Sequence, residues 1–154
     1  MKVHGRWCYL YRAIARDGNL VDTRLSDMRD LAAAEAFFRS AWTVTGVTPD
    51  RITTDGHDAY PRAIRNIFGE RVVHRTNRYL NNYLEQDHRG VKQRYRPTCG
   101  LKTFAAAARF CHVFDEIRAF LRPQSHRNEP LTLEQRRRIH RERFTQLMGI
   151  IAAA

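Results

Sequence analysis

The sequence predicts a single α/β domain: a mixed sheet with flanking helices, followed by a basic C-terminal helix. Three patterns carry that expectation. An aromatic, apolar run from Arg6 to Arg16 meets Asp17-Gly18 and then an alternating stretch, which is the pattern of an antiparallel hairpin. Short β-branched stretches then alternate with segments whose apolar residues recur at helical spacing. A chain of 154 residues with 43% hydrophobic and 10% aromatic content can bury one real core.

Each element follows from local chemistry. Arg6 to Arg16 predicts a strand with Trp7, Tyr9 and Tyr11 as sheet core, stacking of these rings on DNA bases being the alternative. Leu20 to Leu25 is the return strand. Asp30 can cap a helix in which Leu31, Ala34, Phe38, Ala41 and Trp42 form the inner side. Pro49-Asp50 predicts a turn, and Ile52 to Thr54 a short strand stopping at Asp55. A helix follows, with Asp58 as N-cap, Pro61 in its first turn, and Ala59, Ala63, Ile64 and Ile67 inside. Arg71 to His74 predicts a strand, and a helix capped near Asn81 and Asn82 then carries Glu85. Phe104 to Leu121 predicts a long helix with Phe104, Ala107, Ala108, Cys111, Phe114, Ile117 and Leu121 inside. Pro123 to Pro130 is linker-like, and Leu131 to Ile151 is a helix rich in arginine. Antiparallel strands followed by β-α-β-α is the layout of a ribonuclease H-like, integrase-like domain over residues 1–121, with 122–154 as linker and basic helix.

The charge is unevenly spread. The chain carries a formal net charge of +11, yet residues 1–59 hold 8 Lys/Arg against 8 Asp/Glu. Residues 60–101 hold 9 against 3, and residues 102–154 hold 10 against 5. Most of the excess is arginine, whose planar fork suits phosphate. A polyanionic partner, nucleic acid above all, is the expectation; an arginine-rich surface of high-GC origin is the alternative. No apolar run is long enough to span a membrane, and Met1 to Tyr11 lacks a signal peptide's apolar middle, so the cytoplasm is the expected compartment and no membrane partner is expected. Cys8, Cys99 and Cys111 are too scattered for a disulfide framework, and no spacing suggests zinc.

Two acids stand out. Glu85 is followed by His88, Arg89 and Lys92 at three, four and seven residues, which places all four on one helical stripe. A lone acid among cations suits a metal ion held beside a phosphate backbone; a salt-bridged surface helix is the alternative. Asp55 ends a strand just before a helix, at the carboxyl edge of a sheet, where open α/β sheets bind ligands. A turn or capping role is its alternative. His88 could position a phosphate or simply be solvated, and His57 flanks Asp55 closely enough to reach the same site.

Further residues carry a resemblance. NNYLEQDHR, then Lys92, Arg94, Pro97 and Gly100-Leu101-Lys102, resembles the signature of small bacterial insertion-sequence transposases of the IS-six group. GRWCYLYRAIARDGNLVD resembles that family's hairpin, and ITTDGHDAYPRAI its second catalytic segment, so the similarity covers about residues 2–121. The resemblance implies a DDE triad on a ribonuclease H-like fold, with Asp55 as second acid, Glu85 as third and Lys92 as the basic residue after it. Asp55 and Glu85 would be metal ligands for Mg²⁺ or Mn²⁺, and His88, Arg89, Lys92, Arg94, Arg96 and Lys102 would line the DNA path. DNA, as element ends and target, is the implied partner, with a homo-oligomer or a mixed oligomer with intact transposase.

The family's first aspartate would precede Lys2-Val3, where this chain opens. Asp22 is no substitute, because it lies two strands away, or about 10 Å. Cleavage in this class uses two divalent ions about 4 Å apart, normally bridged by that first aspartate. The expectation is therefore an incomplete two-metal site and little cleavage or strand transfer by this chain alone. The alternatives are a non-catalytic module that binds DNA or pairs with transposase, and an unrelated basic structural or RNA-binding protein.

Overall fold

The computed structural model describes residues 1–77, 90–91, 93–94, 101–123 and 130–153. The chain opens with a miniature hairpin, β1 (Lys2–Val3) against β2 (Arg6–Trp7). His4 and Gly5 both have positive φ, 47° and 80°, which is the geometry a two-residue turn between right-twisted strands demands. The expected strand from Arg6 to Arg16 is thus broken at Cys8, whose backbone bonds back to Met1 in both directions at 2.7 Å. Trp7 falls on the far side of the break and is 63% exposed with Lys2 Nζ 5.2 Å from its ring, so it is not sheet core. Tyr9 is exposed too, whereas Tyr11 is buried as expected.

The main hairpin pairs β3 (Tyr9–Ile14) with β4 (Leu20–Ser26), from Tyr9 opposite Ser26 to Ile14 opposite Leu20. The Asp17-Gly18 turn is real: Gly18 has φ 83°, and the Asp17 carboxylate accepts from the Asn19 amide and side chain. Helix α1 (Leu31–Thr45) starts where Asp30 Oδ1 accepts from Ala33 N at 2.8 Å and stops at Gly46, φ 65°. Strand β5 (Arg51–Thr54), helix α2 (Ala59–Phe68) and β6 (Val73–Thr76) form a β-α-β unit with parallel strands, Arg51 opposite Val73 and Thr54 opposite Thr76. That register starts the last strand two residues later than the sequence suggests, because Val72 is drawn into the core instead. Helix α3 (Phe104–Leu121) is capped by Thr103, and α4 (Leu133–Ala152) by a Thr132–Gln135 capping box.

Asp58 holds the N-cap position of α2, as expected, but its backbone is helical and its side chain makes no capping bond. The Ala59 amide instead donates to His57 Nδ1 at 3.3 Å. Nor do the described strands join into one mixed sheet. They form three two-stranded sheets, β1-β2, β3-β4 and β5-β6, and Val3 also bridges Leu101 in parallel. Strands β3 and β5 share a core rather than a hydrogen-bond ladder.

That core explains the layering. Tyr11 of β3 packs with Ala33, Ala34, Phe37 and Phe38 of α1, Ala63 and Ile64 of α2, and Val72; Ile52 of β5 joins at its border. Each fully buried aromatic or branched side chain contributes about 1.5–3 kcal/mol, so this cluster holds α1 and α2 in place. Side chains alternate across a strand. Leu10, next to Tyr11, therefore faces the other way and meets Leu25, Val3, Cys8 and Ala107 of α3. The hairpin is the middle layer between α1–α2 and α3. On the α3 side, Arg12 Nη2 donates to Asp115 Oδ1 at 2.6 Å, with the side chains 2% and 0% exposed. Ala107, Cys111 and Asp115 are the buried stripe of α3. Phe104 and Ile117, expected inside, are exposed, because two strands are too narrow to cover a wider helical face. Trp42 of α1 is likewise partly exposed, at the edge of the core against Phe68.

Candidate active site at the carboxyl end of β5

Asp55 is the first residue past β5, at the strand's carboxyl end. The Thr54–Gly56 corner is fixed from three sides. Thr54 Oγ1 bonds His74 Nε2 at 2.9 Å, and the Gly56 amide donates to the same hydroxyl at 3.3 Å. The Asn77 amide donates to the Thr54 carbonyl at 3.1 Å. Gly56 has φ 89°, and a Cβ there would lie 2.6 Å from Thr76 Cγ2, so only glycine lets the chain turn this close to β6. Burial lowers the His74 imidazole below its ordinary value, which keeps it neutral at pH 7.

The Asp55 side chain is 47% exposed. Oδ2 accepts from Arg29 Nη2 at 3.1 Å, and Oδ1 accepts from the His57 amide at 3.3 Å. Tyr60 stands behind, its ring 5.6 Å from His57 and 6.4 Å from Tyr11. Burial, and next the charge of Asp55, push the Tyr60 phenol up to about 12, with Arg29 opposing. Tyr11 is raised as well, burial first. Both phenols therefore stay protonated at neutral pH beside the carboxylate.

A half-exposed carboxylate at a strand end offers the hard oxygen that Mg²⁺ or Mn²⁺ takes. Among the described residues, no group of three or more His, Cys, Asp or Glu could hold a metal ion, so Asp55 needs further ligands. Arg29 meanwhile supplies the local countercharge.

Glu85, His88, Arg89, Lys92 and Arg96 lie outside the described residues, as do Asn81 and Asn82. Arg94 is exposed; its guanidinium sits 5.2 Å from the Phe114 ring of α3, with Nη1 3.4 Å from the Gly90 carbonyl. Val91, nearby, is buried. Gly90 approaches α3 so closely that a Cβ would lie 3.1 Å from Arg118 Nη1. The end of the segment bearing Glu85 is thus seated on α3. Lys102 is exposed, between Leu101 on the β1 edge and the Thr103 cap. Asp22 lies on β4 opposite Ala13 and accepts from the Thr23 amide. Arg29 and Tyr60 are the site residues the sequence did not disclose. No spacing rule links Arg29 to Asp55 across 26 positions. No described helix is long and apolar enough to cross a membrane.

A family model for a DDE domain matches residues 1–124. The transposase for insertion sequence-like element IS431mec of Staphylococcus aureus is 37% identical over 98 residues, covering 61% of this chain and 43% of that protein. The transposase for insertion sequence element IS257 in transposon Tn4003, also from Staphylococcus aureus, aligns with the same identity and coverage. An uncharacterised protein of Yersinia pseudotuberculosis, pYV0051, is 33% identical over 72 residues, covering 46% of this chain and 67% of that one. The chain thus spans less than half the length of the staphylococcal transposases it matches. No solved structure matches. With most of its length matched by the DDE model and its relatives so named, the chain belongs to the DDE domain family of IS-six-group insertion-sequence transposases.

Proposed function

We propose that this chain is the catalytic domain of a DDE transposase, a polynucleotidyl transferase on a ribonuclease H-like scaffold acting in DNA transposition. The observation that carries the reading is Asp55, an accessible carboxylate at the carboxyl end of a parallel strand, which in this reading is the second acid of the triad. Asp55 and Glu85 hold Mg²⁺ or Mn²⁺ in this reading. Such ions supply a clamp for the attacking and leaving oxygens of a phosphodiester. His88, Arg89, Lys92, Arg94, Arg96 and Lys102 bind and orient the DNA backbone, by contacts that fix register rather than sequence. Tyr60, protonated to about 12, backs Asp55 without competing for a cation. Element ends and target DNA are the partners, bound by an oligomer of this chain or one mixed with intact transposase.

A second reading is a module that binds DNA, or pairs with transposase, without cutting. Arg29 favours it, because its guanidinium already neutralises the outer oxygen of Asp55. A nicking assay on DNA carrying element ends, with Mg²⁺ or Mn²⁺, separates the two. Metal-dependent nicking that Asp55→Asn and Glu85→Gln abolish supports the enzyme. Salt-sensitive binding with no metal-dependent nicking supports the module. A separation of the Asp55 and Glu85 carboxylates far beyond what ions about 4 Å apart can bridge defeats the catalytic reading.

A further inference from the structure

We propose that the groove between Pro123 and the first half of α4 is a second seat for the DNA backbone, separate from the Asp55 corner. It rests on the reading that this chain binds DNA. The groove is a shallow, open depression of about 590 Å³ lined by Pro123, Arg136, Arg137, His140, Arg141 and Phe144, with no carboxylate among them.

Helix α4 buries none of its residues, so packing does not explain its arginines. Two polar anchors fix it across the end of α3. Arg143 Nη1 donates to the carbonyls of Phe120 at 2.8 Å and Arg122 at 2.7 Å, with its guanidinium 5.9 Å from the Phe120 ring. His140 Nδ1 donates to the Leu121 carbonyl at 3.2 Å. These bonds satisfy carbonyls that a helix end leaves open. Arg143 is therefore committed to structure.

The groove arginines are not. Arg136 gives only its Nε, to the Leu131 carbonyl at 3.1 Å, and no described residue accepts from Arg137 or Arg141. Arg137 and Arg141 stand at i and i+4, where like charges weaken a helix. Arg138, by contrast, has Glu134 and Glu142 four residues to either side. A pair of guanidiniums with no hydrogen-bond acceptor among the described residues, beside an apolar Phe144, matches phosphate oxygens next to a sugar or an unpaired base. The place is also right. Phe114, under Arg94, and Leu121, whose carbonyl His140 takes, are seven residues apart on α3, or about 10 Å along its axis. One strand of DNA can follow α3 from Arg94 into the groove.

The test measures duplex binding by fluorescence anisotropy across a salt series. Each phosphate contact contributes about 0.9 to the slope of log affinity against log salt, so Arg137→Ala/Arg141→Ala lowers the slope by about two. Arg138→Ala, a charge loss on the same helix, changes it by under about 0.3. Alanine favours helix, so α4 persists in each variant. An unchanged slope in the double variant, with the wild-type chain binding normally, overturns this proposal and leaves the DNA reading intact. Absence of salt-dependent binding by the wild-type chain defeats the DNA reading itself. If the double variant instead loses polyglutamate binding and keeps its DNA slope, the groove takes an acidic polypeptide and the proposal fails.

Discussion

Asp115→Ala removes one partner of the buried ion pair that joins the hairpin to α3. The pair is short, 2.6 Å, and both side chains are almost fully enclosed, at 2% and 0% exposure. Solvent cannot replace the lost carboxylate, so the Arg12 guanidinium loses its 2.6 Å ion-pair partner in a dry layer. Breaking such a pair by removing one member costs about 3–5 kcal/mol. Domains of this kind have about 5–15 kcal/mol in total, so the variant loses about a fifth or more of its stability. With a urea dependence of about 2 kcal/mol per molar, the unfolding midpoint falls by about 2 M. Removing both charges together in Arg12→Met/Asp115→Leu keeps volume and removes the pair as a unit, so the double variant stays within about 1 kcal/mol of wild type. Urea titration followed by circular dichroism reads all three proteins. A midpoint shift under about 0.5 M for Asp115→Ala, or a double variant as weak as the single, refutes the reasoning.

Three other outcomes are expected. Arg29→Gln removes the cation at Asp55 Oδ2; the pair is half exposed and worth at most about 1 kcal/mol, so Mn²⁺ binding followed by electron paramagnetic resonance tightens by up to about fivefold. Unchanged affinity would mean that Arg29 does not compete with metal. Stability falls as pH rises past 9: burial, then Asp115, keep the folded Cys111 thiol protonated to about 11, and Tyr60 follows to about 12, while the unfolded chain ionises both earlier. Urea midpoints between pH 8 and 11 check this, and Cys111→Ala flattens the first part of the decline. Gly56→Ala meets both a positive φ and Thr76 Cγ2, costing about 2–4 kcal/mol; adding Thr76→Ser, which removes that methyl, restores about half, as thermal melts would read.

The parts legible in the sequence were local ones. Asp17-Gly18, the Asp30 cap and the β-α-β run around Asp55 each follow from neighbours within a few residues, and each is present, the last strand of the run displaced by two residues. The misses have a common cause in contacts between distant residues. Nothing near Cys8 announces that Met1 will fold back onto it and break the strand. Asp115 gives no sign in its own helix that Arg12, 103 residues away, will bury it. Arg29 precedes a helix cap and shows no local link to Asp55. His57 took the capping role from Asp58 because the chain turns sharply at Gly56, a tertiary constraint set by Thr76. The Glu85 stripe, clearest in the sequence, lies outside the described residues.

Asp55 and the described residues of 90–94 rest on different supports. Asp55 is carried by β5 and α2, which belong to the core under α1. The segment after Glu85 is seated, through Gly90, Val91 and Arg94, on α3. Between these layers lies only the β3–β4 hairpin, with Tyr11 and Ala13 toward one and Leu10 and Arg12 toward the other. The offset of Gly90 and Arg94 from the Asp55 corner is therefore set through the hairpin's thickness. Apolar packing fixes how closely α3 approaches, but it is non-directional and tolerates sliding. The Arg12–Asp115 pair is directional, and it pins α3 along its axis at one position. The Arg12–Asp115 pair thus fixes where α3, and with it Gly90 and Arg94, stands relative to the Asp55 corner, and Arg12→Met/Asp115→Leu would keep the fold while loosening that placement.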